Sequence, residues 1–320
     1  FQAEDGIRDR SPSRGLGDVY KRQALMKYAF YPGCVSKGAA PELYGATIAV
    51  CNRLGIELDT KTMEGASCTG SGVLQEKNEK LGDTLNARTF AMGENSGLPI
   101  MTICSTCQGV MSQAKSRMTD LEYREAVNTS LSDENLEYKG QAEPRHLLWI
   151  IIEDIGIEKF KEKIVKPLTG LKIAPFYGCY IVRPSDALGF DENPDRKHSL
   201  EMIIEAVGAE VADFPGKSAC CGFPILTINE KNSMKMVSNH TLSAKKEGAV
   251  AMVTPCPLCH LNLDGYQPTA SKQVGQPIDL PILHLPQLIG LALGIDPKIL
   301  KLNQHIVNTK SVVSALALTP

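Results

Sequence analysis

Short apolar runs alternate with longer amphipathic stretches along most of this chain. Tyr28–Tyr31 is apolar and breaks at Pro32-Gly33-Cys34. Beyond it, Leu43, Ala46, Val50, Cys51 and Leu54 recur at the three-and-four spacing of one helix face. Leu54–Leu58 (LGIEL) reads as the next strand and leads to the Gly-rich loop SCTGSG. A further helix is predicted to end near Gly97, because glycine commonly closes helices. The strand Pro99–Ile103 then delivers Cys104. Strand, helix, strand, helix, strand, helix predicts an α/β fold with a small parallel sheet and helical crossovers. Groups at the carboxyl ends of such strands meet in the crevice where these sheets bind ligands. The cysteine loops are therefore expected to converge.

The pattern occurs twice. YAFYPGC (Tyr28–Cys34) echoes IAPFYGC (Ile173–Cys179), and LGIEL echoes VGAEV (Val207–Val211). SCTG (Ser67–Gly70) echoes ACCG (Ala219–Gly222), and MTICSTC (Met101–Cys107) echoes VTPCPLC (Val253–Cys259). The offset is 145 residues at the first cysteine and 152 at the later ones, so the second copy carries a net insertion of seven, placed within Gly189–Lys197. Arg145-His146-Leu147 and Leu283-His284-Leu285 form a looser echo. The expected organisation is two tandem pseudo-symmetric repeats, 26–165 and 166–320. Gly248 is expected to end the helix matching the one that ends at Gly97.

Phe1–Gln23 fits neither copy. It has no apolar periodicity, and the string resembles a translated sequencing-library adaptor. Residues 1–25 are read as a non-native extension, with Met26 as the expected start.

Composition narrows the chemistry. The chain has 320 residues, 43% of them hydrophobic, and a net charge of -2. No basic excess points to nucleic acid. No apolar run reaches the ~18 residues of a membrane span. There is no G-x-G-x-x-G for a dinucleotide and no P-loop lysine, so reducing equivalents are expected from another subunit. Ten cysteines stand in a long chain with no export signal, which favours metal binding in a reducing cytoplasm over disulfides.

The second copy offers five candidate ligands: Cys179, Cys220, Cys221, Cys256 and Cys259. That is one more than a standard cubane needs. Thiolates need electrostatic support, which helix N-termini supply. Gly33, Gly70, Gly178 and Gly222 beside them let backbone N–H groups approach sulfur. Adjacent Cys220 and Cys221 would reach two irons of one cluster.

With its repeated Cys…Cys-Cys-Gly…Cys-x-x-Cys pattern, the chain from Met26 to about Ile306 resembles the B subunit of heterodisulfide reductase and its relatives, the cysteine-rich CCG domain family. Those relatives include iron–sulfur subunits of a thiol-dependent fumarate reductase, of non-classical succinate dehydrogenases with an E-type subunit, and of glycolate and lactate oxidation complexes. The resemblance implies a non-cubane 4Fe–4S cluster on Cys179, Cys220, Cys221, Cys256 and Cys259, with the terminal chemistry at Cys220 and Cys221. It also implies one-electron transfer to a disulfide or a quinone. The implied partners are an iron–sulfur donor or acceptor subunit, of the heterodisulfide reductase C or succinate dehydrogenase B kind, and a flavoprotein in the complex. A cytoplasmic location follows, with membrane association through that complex.

The first copy departs from the family pattern. Its candidate metal ligands are Cys34, Cys68, Cys104 and Cys107, and Thr69 stands where the repeat has Cys221. The register is firm, since 34 residues separate Thr69 from Cys104 and Cys221 from Cys256 alike. Four thiols suit a cubane 4Fe–4S cluster, a modified non-cubane cluster or zinc. The asymmetry favours an electron-transfer subunit. Its rivals are a true CoB-CoM heterodisulfide reductase catalytic subunit and a zinc-bound assembly module of a succinate dehydrogenase or fumarate reductase complex.

Other conspicuous residues have plainer readings. Cys51, matching Ile204, is expected in the core, as are Met101, Met111 and Met118. His146 and His284 are expected to hydrogen-bond at helix starts. His260 is either a solvated surface residue or a group that tunes the neighbouring site. Arg183, four residues after Cys179, is either an ordinary surface residue at a helix start or a group that offsets cluster charge. Leu285–Leu293 is expected to pack in the core, since it lacks the basic face of a membrane-surface helix.

Overall fold

The computed structural model describes residues 26–317, with side chains to 315. The expected extension, 1–25, lies outside the described residues. Two four-stranded sheets, parallel throughout, carry the two copies. The first contains β1 (Met26–Tyr31), β2 (Ile56–Asp59), β3 (Ile100–Thr102) and β4 (Pro144–His146), in the order β2-β1-β3-β4. The second contains β5 (Lys172–Pro175), β6 (Glu210–Val211), β7 (Ala251–Thr254) and β8 (Ile282–His284), in the order β6-β5-β7-β8. The registers match: β1 pairs Ala29 with Ile100 as β5 pairs Ala174 with Met252.

Each sheet has one strand more than the pattern of strand and helix predicts. The fourth strands are three residues long, too short for an apolar run to announce. Their trace in the sequence is the loose Arg145-His146-Leu147 echo.

In both sheets the chain first steps outward to one side, then crosses back. The reversal lies between β1 and β3, and between β5 and β7. Such a switch point opens a crevice at the carboxyl ends of the two central strands. Helices α1 (Gly33–Gly38), α2 (Pro41–Leu54), α3 (Glu79–Ser96) and α4 (Ser105–Arg117) cross over in the first copy. The main helices of the second are α5 (Ser199–Ala206), α6 (Glu230–Lys246), α7 (Pro257–Gly265) and α8 (Leu285–Ala292). Gly97 closes α3 at φ 68°, and Gly248 follows α6 at φ 82°, so both expected glycine stops are realised.

Two apolar layers each draw side chains from both copies. Helix α2 turns Leu43, Ala46, Val50, Cys51 and Leu54 inward, and its counterpart α5 buries Ile203 and Ile204. Helix α8 is buried along its length and packs against α2 of the other copy. Met101, Met111 and Met118 fill the core.

The insertion of the second copy holds the halves together. It lies in a run of turns between Cys179 and α5, where the first copy has α1. Arg183 thus lies in a turn and not at a helix start; the longer loop replaces that helix. Phe190 meets Trp149 edge-on, with ring centroids 6.4 Å apart. The Arg196 guanidinium stacks 4.3 Å over the Trp149 ring and pairs with Glu153 at 2.6 Å.

Candidate functional site

Three loops bring the cysteines of each copy to its crevice. Cys34 and Cys179 follow β1 and β5, the Gly-rich loops follow β2 and β6, and the Cys-x-x-Cys pairs follow β3 and β7. Cys104 and Cys256 cap α4 and α7, so their sulfurs stand at positive helix ends. The Cys104 sulfur accepts from the Cys107 N–H at 3.5 Å. The Gly70 N–H reaches Cys68 sulfur at 3.4 Å, and the Gly222 N–H reaches Cys220 sulfur at 3.4 Å. Of the four glycines expected to give N–H···S support, Gly70 and Gly222 donate to sulfur, one in each copy.

The cradle is closed tightly around the second set. A Cβ on Gly178, at φ +71°, would stand 2.8 Å from the Cys259 sulfur. The Cys220-Cys221-Gly222 backbone is held from behind. His240 Nε2 donates to the Cys220 carbonyl at 2.9 Å, Asn262 to the Cys221 carbonyl at 2.7 Å, and Ser233 to the Gly222 carbonyl at 3.0 Å. Arg183 donates to the Ser218 carbonyl at 2.6 Å, tying the Cys179 loop to the Cys220 loop.

All five second-copy cysteines line one cavity of about 200 Å³. Cys179 and Cys220 are half-buried, while Cys221, Cys256 and Cys259 are buried. Their thiols stand close enough to shift one another's protons. Cys220 is held far below the ordinary thiol range by hydrogen bonds from Cys179 and then Cys221. Cys256 is likewise lowered, by hydrogen bonds from Cys104 and then Cys259. Cys220 in turn raises Cys179 and Cys221, and Cys221 first, then Cys256, raises Cys259. Five thiols that share protons in a buried cradle, with N–H donors and helix ends behind them, are a donor set suited to an iron–sulfur cluster.

The first set is looser. The Cys34 and Cys68 sulfurs lie 3.8 Å apart and are exposed, whereas Cys104 and Cys107 are buried. Burial first, and then the Cys68 sulfur, push Cys34 up to about 11. Thr69 is buried, and its hydroxyl points at the Cys107 sulfur from 3.7 Å. Its carbonyl is held by Gln75 at 2.8 Å and by Asn86 at 3.2 Å. The loop therefore keeps the shape of its counterpart, with a hydroxyl where the second copy has a thiol.

The two sets touch. Cys104 of the first copy is raised by Cys107 and then by Cys256 of the second, so the Cys104 and Cys256 thiols stand close together, and the Ser105 N–H donates to the Pro255 carbonyl at 3.2 Å. Thr106 reaches the Cys256 sulfur at 3.4 Å. Ser71 and Val73 of the first copy also line the second-copy cavity. Tyr180, next to Cys179, lies along two first-copy glycines. A Cβ on Gly72 would meet its hydroxyl at 1.5 Å, and one on Gly109 its carbonyl at 2.3 Å. Sequence reasoning missed Tyr180, because its importance rests on a contact between copies.

The histidines divide. His146 caps the short helix after β4, as expected, and its Nδ1 accepts from the Leu148 N–H at 3.0 Å. Its Nε2 bonds the Pro255 carbonyl in the other copy at 3.0 Å. His284 likewise starts α8. His260, for which a solvated surface position is one of two expectations, is only 4% exposed. Burial holds His146 at about 4 and lowers His260 and His284 well below the usual imidazole range.

Comparison with known proteins accords with this arrangement. A family model described as a cysteine-rich domain, CCG, matches residues 28–112 and 173–264. The chain is 40% identical over 282 residues to the 8-methylmenaquinol:fumarate reductase membrane anchor subunit of Wolinella succinogenes, covering 88% of this chain and 97% of that protein. It is 32% identical over 279 residues to a protein of Archaeoglobus profundus named as like the B subunit of heterodisulfide reductase, covering 86% and 93%. It is 31% identical over 289 residues to the B subunit of the ferredoxin:CoB-CoM heterodisulfide reductase of Methanosarcina mazei, covering 88% and 94%. A crystal structure of a hypothetical protein from Helicobacter pylori shares the fold, with a TM-score of 0.70 at 15% identity. The match covers 93% of this chain and 58% of that one. Among the described residues, no helix is long and apolar enough to cross a membrane.

Proposed function

The chain belongs to the CCG cysteine-rich domain family, whose relatives include oxidoreductase subunits, and we propose that it is the iron–sulfur subunit of a multi-subunit oxidoreductase, exchanging single electrons with a quinone. The observation that carries this reading is the unequal pair of thiol sets, five around one cavity and four beside it. Cys179, Cys220, Cys221, Cys256 and Cys259 would hold a non-cubane 4Fe–4S cluster. Cys34, Cys68, Cys104 and Cys107 would hold a cubane cluster or zinc. A cluster in the five-thiol site supplies one-electron redox chemistry.

The chain's own residues do the rest. Gly222 N–H and the N-terminus of α7 offset negative charge on sulfur. Tyr177, Tyr180, Phe223 and Leu226 give the cavity apolar walls that limit water. Cys220 and Cys221 face that cavity, so terminal exchange is assigned to their side of the site. The contact between Cys104 and Cys256 gives a short route between the two sets. The partners in this reading are an iron–sulfur subunit of the succinate dehydrogenase B or heterodisulfide reductase C kind and a flavoprotein. The protein would sit at the membrane through that complex. The 40% identity to the quinol-linked Wolinella subunit supports the quinone over the disulfide.

A second reading, a disulfide-reducing catalytic subunit, draws support from the abutting thiol sets and the heterodisulfide reductase relatives. One experiment separates them. The purified complex is assayed for quinol oxidation and, with a reduced viologen dye, for heterodisulfide cleavage. Quinol activity without disulfide cleavage is expected. Disulfide cleavage alone would replace the proposal with the second reading. Zinc in both sites without acid-labile sulfide would sink both.

A further inference from the structure

At one turn the first copy reaches a candidate ligand of the second. Cys104-Ser105-Thr106-Cys107 opens α4, and Pro255-Cys256 leads into α7. Three first-copy donors converge on the Pro255 carbonyl. They are the Ser105 N–H and the Ser105 hydroxyl, each at 3.2 Å, and His146 Nε2 at 3.0 Å. A fourth group goes one residue further: the Thr106 hydroxyl lies 3.4 Å from the Cys256 sulfur. Other contacts between the copies, such as Glu42 with His284 at 3.1 Å, join side chains that carry no thiol.

The direction of the Thr106 bond follows from the state of the sulfur. While Cys256 is a thiol, oxygen or sulfur could donate. A sulfur bound to iron is a thiolate with no hydrogen of its own, so the threonine must then donate. Thr106 and Cys256 are 6% and 2% exposed, and in such burial a donor acts on an anion without competition from water. Thr106 also lines the cavity that holds the five thiols.

The repeat shows that the Cys-x-x-Cys turn does not itself demand this hydroxyl. Thr106 matches Leu258, and Ser105 matches Pro257. Leucine has no hydrogen to donate and proline has no N–H, yet the second copy forms the same turn at the start of α7. Neither device can be returned from the second copy to the first. The donation runs one way, from the four-thiol copy to the five-thiol copy.

We propose, resting on the reading of the five thiols as a cluster site, that Thr106 is a positioning residue of that site: its hydroxyl donates to the Cys256 thiolate across the copy boundary and raises the reduction potential of the cluster held there. Reduction adds one electron, exchanged with the iron–sulfur partner of that reading, and no proton moves. A hydrogen bond to ligating sulfur stabilises the more negative, reduced state more than the oxidised one. The first copy thus sets the driving force at its neighbour's site, whatever metal its own four thiols hold.

The test is a dye-mediated redox titration of the full chain, reconstituted anaerobically with iron and sulfide. The readout is the second-site EPR signal, assigned as the one that changes in Cys221→Ser. Thr106→Val keeps the shape of the side chain and removes the donor. Its midpoint is expected to fall by about tenfold in the one-electron equilibrium, which is about 59 mV, with iron per chain unchanged. Thr106→Ser keeps a hydroxyl and is expected to titrate close to wild type. An unchanged midpoint in Thr106→Val, or an equal fall in Thr106→Ser, would overturn the proposal. Should Thr106→Val lose its iron, Thr106→Ala is titrated in its place, with the same fall expected. A wild-type chain that takes up no cluster would sink the iron–sulfur reading together with this inference, whereas full iron with an unmoved midpoint sinks this inference alone.

Discussion

At the scale of single residues, the difference between the two thiol sets reduces to one side chain. Thr69 is buried and aims its hydroxyl at Cys107, and its counterpart Cys221 is buried beside Cys259. The flanking Gly70 and Gly222 share a φ of 93°. Thr69→Cys should therefore supply the missing ligand without moving the backbone. Iron per chain in the reconstituted variant is expected to approach twice that of a wild type loaded at the second site alone, with a matching EPR signal. Unchanged iron and spectrum would show that thiol count does not limit the first site. The reverse change, Cys221→Ser, is expected to alter or abolish the EPR signal of the second site. A glycine pair gives a graded test. Ala at Gly178 places a Cβ 2.8 Å from Cys259 sulfur, and Ala at Gly33 places one 3.4 Å from Cys107 sulfur. Both sites have positive φ, so each variant bears about 1–2 kcal/mol of backbone strain. Only Gly178→Ala adds a clash with a ligand, and it should lose second-site iron where Gly33→Ala retains its metal.

At the scale of elements, the fourth strand of each sheet is where local pattern and structure part. Helix α2, the paired Gly-Cys turns and the glycine stops were legible because each depends on its own residues. Strands β4 and β8 exist because β3 and β7 offer them an edge, which a three-residue segment does not announce. The cysteine sets were legible as repeats. The contacts of Tyr180, His146 and Glu42 with the other copy were not, because each joins positions far apart in the chain. His146 makes this consequential. It is buried with Nε2 on the Pro255 carbonyl, and burial lowers it to about 4 from 6.5. Below pH 6.5 the unfolded chain takes up a proton that the folded chain refuses until about pH 4, so stability falls as pH drops through that window. The loss is at most about 3 kcal/mol, at about 1.4 kcal/mol per unit. His146→Gln keeps a donor for Pro255 and does not titrate. Its denaturation midpoint should fall less than that of the wild type between about pH 6.5 and 5, and equal slopes would refute the assignment.

At the scale of the molecule, the repeats share more than a boundary. Both apolar layers contain side chains from the two copies, and α2 packs on α8 with the Glu42–His284 contact beside them. The insertion lays Phe190 and Arg196 on Trp149, and Ser105 bonds Pro255 between the thiol sets. A half severed from the other would expose the face of α2 or α8 to water, and such contiguous apolar surface drives association. The copies should then unfold as one unit, although each has its own sheet. The single tryptophan reports the junction, and the absorbance of a cluster bound by the five thiols reports the second crevice. In anaerobic denaturant titration of the reconstituted chain, Trp149 fluorescence and cluster absorbance should be lost at one midpoint, the mark of a cooperative transition. Separate midpoints would mean that the halves are independent. Arg196→Ala removes the cation from the tryptophan face and the pair with Glu153. It should lower that common midpoint without splitting it, because the shared apolar layers remain.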